Sequence, residues 1–171
     1  MRNGDIMKKL IYIILLVLTL ITIFLFSSQN GSQSLGLTIK GINKVTNANI
    51  EKKEEARPGV PEKEEEKTFV DHVIVFVRKS AHFIEYMILG VILMLLLNSL
   101  HINMKYAIVI SILFCFLYAC TDEIHQLFVV GRTGRFTDVL IDTCGSFTGI
   151  MLSYIIGRVG RGRKDGRKKE K

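Results

Sequence analysis

Residues 106–126 read YAIVISILFCFLYACTDEIHQ, an apolar run from Tyr106 to Ala119 that passes without any turn signal into Asp122, Glu123 and His125. The apolar part alone is too short for a bilayer crossing of about 20 residues, and it reaches that length only by carrying its polar end into the membrane. An ionisable group in hydrocarbon costs about 2.5–3.5 kcal/mol even on lenient insertion scales, so such an end is a candidate working site. Working outward, the segment has three apolar companions, Leu10–Phe26, Ala81–Leu97 and Val139–Ile156. The expected fold is all-α, a four-helix transmembrane bundle with spans at about 10–26, 80–97, 106–126 and 138–156.

The charges at the span ends fall in a pattern. Arg78, Lys79, His82 and Glu85 open the second span, Asp122, Glu123 and His125 close the third, and Asp138 and Asp142 open the fourth. Consecutive membrane helices alternate direction, so these three ends lie on one side of the bilayer and their charges form one cluster.

Composition agrees with a small polytopic membrane protein. Of 171 residues 49% are hydrophobic, yet there are 23 basic and 16 acidic ones, a mixture that suits alternating spans and loops better than a soluble globule. Residues 157–171 carry eight basic residues against two acidic ones, which places most of the net charge of +7 in a basic tail. Directly after a span, such a tail is a cytoplasmic topology signal and a contact for anionic headgroups of membrane lipids. No aromatic-interleaved platform accompanies it, which excludes nucleic acid as the expected partner.

Arg2, Lys8 and Lys9 precede the first span, so both termini are expected in the cytoplasm and the chain in the cell membrane as a multi-pass protein. The first apolar run is longer than a signal-peptide core and has no small-residue exit, so it is read as an uncleaved helix. A membrane domain is thus expected over 1–156 and a basic cytoplasmic tail over 157–171. An outer loop follows the first span and includes a flexible acidic loop, 51–67, with Pro58 and Pro61 and almost nothing apolar to bury. Phe69 to Val77 reads as an interfacial helix or as an early turn of the second span, with a strand as the weaker alternative. Cys115, Cys120 and Cys144 lie inside spans without a CxxC pair and are expected to pack rather than react.

Within the cluster, Lys79, His82 and Tyr86 recur at i, i+3 and i+7 on one helical face with Glu85 beside it. Asp122, His125 and Gln126 share another face, with Glu123 on its flank. A carboxylate beside an imidazole sets its tautomer and raises its basicity, as general-base catalysis and metal ligation both require. His125, Asp122, Glu123, His82 and Glu85 are therefore the catalytic candidates. Neither HExxH nor a paired zinc spacing occurs, so no metal or cofactor is expected. The residues favour a salt-bridge and hydrogen-bond network; His82, His125 and a carboxylate are the set a divalent metal would take.

Residues 131–135, GRTGR, put Arg132 and Arg135 in a short outer loop against the positive-inside bias. Such charges need partners, either Asp138 and Asp142 one turn apart on the next helix, or an anionic ligand, or both. Gly145 and Gly149 form a GxxxG face suited to a close helix crossing.

Residues 78–86 (RKSAHFIEY), 121–128 (TDEIHQLF) and 131–135 (GRTGR), followed by Asp138, Val139 and Gly145, resemble the VanZ-like family of small bacterial membrane proteins. Phe26-Ser27-Ser28-Gln29 after the first span resembles that family's early motif. The resemblance implies an integral membrane protein of the bacterial cell envelope, with members linked to reduced susceptibility to the glycopeptide antibiotic teicoplanin. It supplies no mechanism. Two functions remain open beside it. One is a non-enzymatic protein that binds or shields a glycopeptide or lipid-linked wall precursor at a polar site open to the outer leaflet. The other is a membrane-embedded hydrolase or transferase acting on an anionic lipid, with His125 as a base oriented by Asp122 or Glu123, and Arg132 or Arg135 holding the charged group. A proton-coupled transporter ranks below both, since the inner halves of the spans are apolar.

The topology has a direct check. Single cysteines replacing Asn47 and Thr133, in a background without native cysteines, should react with an impermeant thiol reagent on intact cells. Labelling at both sites only after permeabilisation would reverse the orientation.

Overall fold

The computed structural model describes residues 3–29, 62–130, 132 and 134–169. Four helices account for nearly all of them: α1 (Asn3–Ser27), α2 (Glu62–Ser99), α3 (Met104–Gln126) and α4 (Phe136–Lys169). Each contains a segment long and apolar enough to span a membrane, namely Gly4–Ser27, Val75–Ser99, Met104–Gln126 and Phe136–Arg158. Helices suit that environment because hydrocarbon offers no partner for a backbone N–H or C=O, so each segment must satisfy its own. Even the polar side chains within α1 comply: Thr19 and Thr22 donate their hydroxyls to the carbonyls of Leu15 and Leu18.

Of the two readings of residues 69–77, the structure has the second. They are early turns of α2, which runs unbroken from Glu62, so the end of the charged stretch expected as loop, 62–67, is helical too. Glutamate and lysine are good helix formers, which agrees with that extension. The rest of that loop, 51–61, lies outside the described residues. At the other end α4 continues to Lys169, so residues 157–169 extend the fourth helix rather than leaving it.

The connection between α2 and α3 is a tight C-terminal cap. His101 adopts a left-handed backbone, φ 61°, with its N–H bonded to Asn98 O at 3.1 Å, and the N–H of Ile102 reaches back to Leu97 O at 3.2 Å. This is the Schellman pattern, with histidine where glycine is usual. Asn103 then caps α3 by accepting the N–H of Lys105 at 3.1 Å.

The core is built around α2. Tyr86, Leu89, Leu93, Met94 and Leu97 pack with Ile23 of α1, Ala107, Cys115 and Ala119 of α3, and Ile150 of α4. Outward faces stay apolar, with Ile13 and Val17 of α1, Leu113 and Leu117 of α3, and Leu152 and Ile156 of α4 all exposed. In water such a surface would drive aggregation, whereas against lipid tails it is the required solvent contact. Of the three cysteines, Cys115 is buried as expected of a packing residue, Cys120 is half-buried and Cys144 is exposed.

Lipid tails are as apolar as leucine, so association inside the bilayer depends on close packing rather than on burial from water. The α2–α4 contact provides it. A Cβ on Gly145 would run into the carbonyl of Phe83, one on Gly149 into that of Met87, and one on Gly90 into that of Ser146. The two backbones touch at three successive levels. Gly149→Val should therefore lower stability in a detergent unfolding assay by at least about 1–3 kcal/mol, the usual cost of overpacking. Gly4→Val, where nothing lies within 4 Å, should change it little.

Candidate functional site

The C-terminal ends of α1 and α3 and the span starts of α2 and α4 meet at one end of the bundle. Lys79, His82, Glu85 and Tyr86 arrive on α2, Asp122, Glu123, His125 and Gln126 on α3, Arg132 and Arg135 on the α3–α4 connection, and Asp138 and Asp142 on α4. Asp122, Asp142 and Gln126 are only 4%, 2% and 5% exposed. Glu123, expected on a flank, is buried as well at 6%.

The pairings differ from the expected arginine–aspartate set. Asp138 is bound by Lys79 across the α2–α4 contact, Nζ to Oδ1 at 2.6 Å. Arg132 instead closes α1: Nε donates to Gln29 O at 3.1 Å and Nη2 to Phe26 O at 3.2 Å, while Nη1 donates to Gln126 Oε1 at 3.2 Å. Carbonyls at and just past a helix C-terminus carry partial negative charge, so they help offset a guanidinium in the loop. Burial lowers the pKa of Arg132 and nearby Arg78 adds to this, with Asp122 and Glu123 acting the other way. Arginine stays protonated throughout such shifts. Gln126 passes the chain on, its Nε2 donating to Asp122 Oδ2 at 3.1 Å. Arg135 contributes its backbone N–H to Glu123 Oε1. Gly131 and Thr133 lie outside the described residues.

His125 does not hydrogen-bond to the neighbouring carboxylates. Its Nε2 lies 3.0 Å from Ser28 Oγ and its ring stacks on Phe24, with centroids 4.6 Å apart. Ser28 has one hydroxyl hydrogen and donates it to Phe24 O at 2.6 Å, which leaves Oγ to accept from the imidazole. In this rotamer the histidine is the donor. For the serine to be a nucleophile its hydroxyl must first turn from the carbonyl to the ring. The α1 end, with Ser27, Ser28 and Phe24, is the part that residue-by-residue reading left out; the signal was available, because alternating spans put that end beside the cluster.

His82 sits deeper. Its Nδ1 is 3.4 Å from Glu85 Oε2. His82, Asp122 and Asp142, one from each of three helices, place ligand-type atoms within 4.8 Å of one another, and these are the residues that could hold a metal ion. The triad shares His82 and a carboxylate with the set expected from sequence but takes a second carboxylate in place of His125.

Two cavities adjoin this end. A polar chamber of about 10 Å³, lined by Arg78, Lys79, His82, Glu123, Gln126, Asp138, Ile141 and Asp142, has room for roughly one water molecule. A groove of about 390 Å³ runs beside it on the lipid side, lined by Phe76, Lys79, Ser80, Phe83, Ile84 and Ile141. Lys79 and Ile141 border both.

The Lys79–Asp138 pair is partly buried, 27% and 17% exposed, and ties α2 to α4. Lys79→Ala and Asp138→Ala should each destabilise the protein more than an independent site would, and the double change should cost less than their sum. A coupling of about 1–2 kcal/mol is expected in a detergent unfolding cycle, and additivity within about 0.5 kcal/mol would show the pair to be independent.

No curated protein and no solved structure matches this chain. A family model described as VanZ/LLP1 matches residues 10–157, reaching into all four spans and taking in the whole polar end. On that match over most of its length, this multi-pass membrane protein belongs to the VanZ/LLP1 family.

Proposed function

We propose that this protein works in the bacterial cell envelope, with both termini cytoplasmic and the polar end at the outer face of the membrane. There it binds the anionic headgroup of a lipid or lipid-linked wall precursor, and by doing so lowers susceptibility to teicoplanin-type glycopeptides. The observation that carries this reading is the adjacency of the polar chamber and the apolar groove, which share Lys79 and Ile141. An amphiphile needs that pair of surfaces: charge for the head, a lipid-side trough for the tail. The chamber itself admits only a water-sized body, so the head is held at its mouth. Arg78 lines that mouth, forms no ion pair among the described residues, and lies near enough to Arg132 to act on it electrostatically. A guanidinium so placed favours a phosphate, with the already engaged Arg132 adding to the positive field. The basic residues at the start of α1 and along the end of α4 support the orientation and suit anionic headgroups of the inner leaflet.

A second reading, a membrane-embedded hydrolase or transferase acting on the same class of lipid, is favoured by the Ser28–His125 contact. The two separate by experiment. Binding of the purified protein to vesicles containing an anionic isoprenoid phosphate should weaken about tenfold or more in Arg78→Ala, the loss of one charge-assisted contact of about 1.5–3 kcal/mol. A deletion strain should become more susceptible to teicoplanin and be rescued by the wild type but not by Arg78→Ala. Unchanged binding and full rescue would remove the headgroup reading. Failure of His125→Ala to rescue, with vesicle binding intact, would favour chemistry.

A further inference from the structure

We propose that His82, Asp122 and Asp142 form a binding site for one divalent first-row transition ion of the zinc type, held between α2, α3 and α4. The inference stands on this triad's own geometry and does not require the headgroup reading. One imidazole nitrogen and two carboxylate oxygens lie within 4.8 Å of one another, while donors around a cation at 2.0–2.2 Å sit about 3–4 Å apart. Small rotamer adjustments close that difference.

Charge makes the stronger argument. Both aspartates are buried, and among the described residues no lysine or arginine forms an ion pair with either. Lys79 is taken by Asp138, and Arg132 by Gln126 and the α1 carbonyls. Two desolvated carboxylates facing a single imidazole are poorly compensated, and a divalent cation would neutralise both.

An independent observation points the same way. Tyr86, one turn beyond His82 and wholly buried, has a hydroxyl without a hydrogen-bond partner among the described residues, and both Asp122 and Asp142 act on it electrostatically. An orphaned buried phenol is costly unless something unseen engages it, and a cation or its bound water would do so. Glu85 stands beside His82 Nδ1, where a carboxylate would orient the ring and leave Nε2 for the ion.

The chamber bordered by His82 and Asp142 has space for about one water. Three protein ligands plus one water make a four-coordinate site with an exchangeable position, which suits zinc. Calcium prefers six to eight oxygens and magnesium keeps several waters, and neither matches one nitrogen and so little room.

The full chain, purified in detergent without a polyhistidine tag and stripped with a chelator, is titrated with Zn²⁺ and analysed for metal after gel filtration. One zinc per chain, with a saturable rise in melting temperature, is expected. His82→Gln and Asp142→Asn should bind about a hundredfold more weakly or worse, Tyr86→Phe about tenfold more weakly, and His101→Ala, at the other end of the bundle, like the wild type. If the charge variants fail to elute as monodisperse protein, the wild-type titration and Tyr86→Phe still decide. A monodisperse wild type that retains no zinc overturns the proposal. So does zinc retained equally by folded His82→Gln and Asp142→Asn, or stoichiometric binding of Mg²⁺ or Ca²⁺ in place of Zn²⁺.

Discussion

The backbone contact between α2 and α4 is the constraint on which the rest of this molecule depends. Gly90, Gly145 and Gly149 remove the side chains that would hold the two helices apart, and in a bilayer that close approach is itself the main source of attraction. Its consequence is positional. With Gly145 against Phe83, the turn before it on α4 lies beside the turn before Phe83 on α2, which sets Asp138 within reach of Lys79 and Asp142 near His82. Wider spacing would leave those charges in hydrocarbon with no partner, each at a cost comparable to the insertion penalty of the whole group. Packing of small residues and pairing of large polar ones are thus a single arrangement seen at two levels of the same interface.

Around that interface the polar end is satisfied in relays rather than in simple pairs. Arg132 bridges the α1 carbonyls to Gln126, Gln126 donates to Asp122, and Glu123 accepts the backbone of Arg135 at the entry to α4. These links tie α1 and α3 to the connection before α4, and the Lys79–Asp138 pair adds α2 to α4 at the same end. A few groups stay outside these links. Among the described residues, the Tyr86 hydroxyl and Glu123 Oε2 are buried without a hydrogen-bond partner, and His82 Nδ1 and Glu85 Oε2 have only each other, at 3.4 Å. Of these residues, His82 and Glu123 line the polar chamber.

Much of this was legible in the chain. The four apolar blocks set the number and type of elements, because only a helix can satisfy its own backbone in lipid. Alternating direction and the charges at the span ends placed His82, Asp122, Glu123, Asp138 and Asp142 at one end before any coordinate was known. The glycine spacing at Gly145 and Gly149 marked the helix face that meets a neighbour. Composition could not mark the start of α2, because the glutamates and lysines of 62–67 are at once good helix formers and residues too polar to fold alone.

Partner choice was decided only by the tertiary structure. Sequence proximity joins the loop arginines to Asp138, yet Lys79, 59 positions away, holds that carboxylate across the α2–α4 contact, while Arg132 is turned toward α1. His125 follows Asp122 by three residues on the same helix, but helical rotation and the α1 packing turn its ring onto Phe24 and Ser28. The triad of His82, Asp122 and Asp142 has no linear spacing at all, since its members come from three helices. Periodicity along one helix determines which residues face inward and at what depth. Which of them touch is determined by how the helices are rotated and how far apart they stand, a property of the whole bundle that no local stretch of sequence contains.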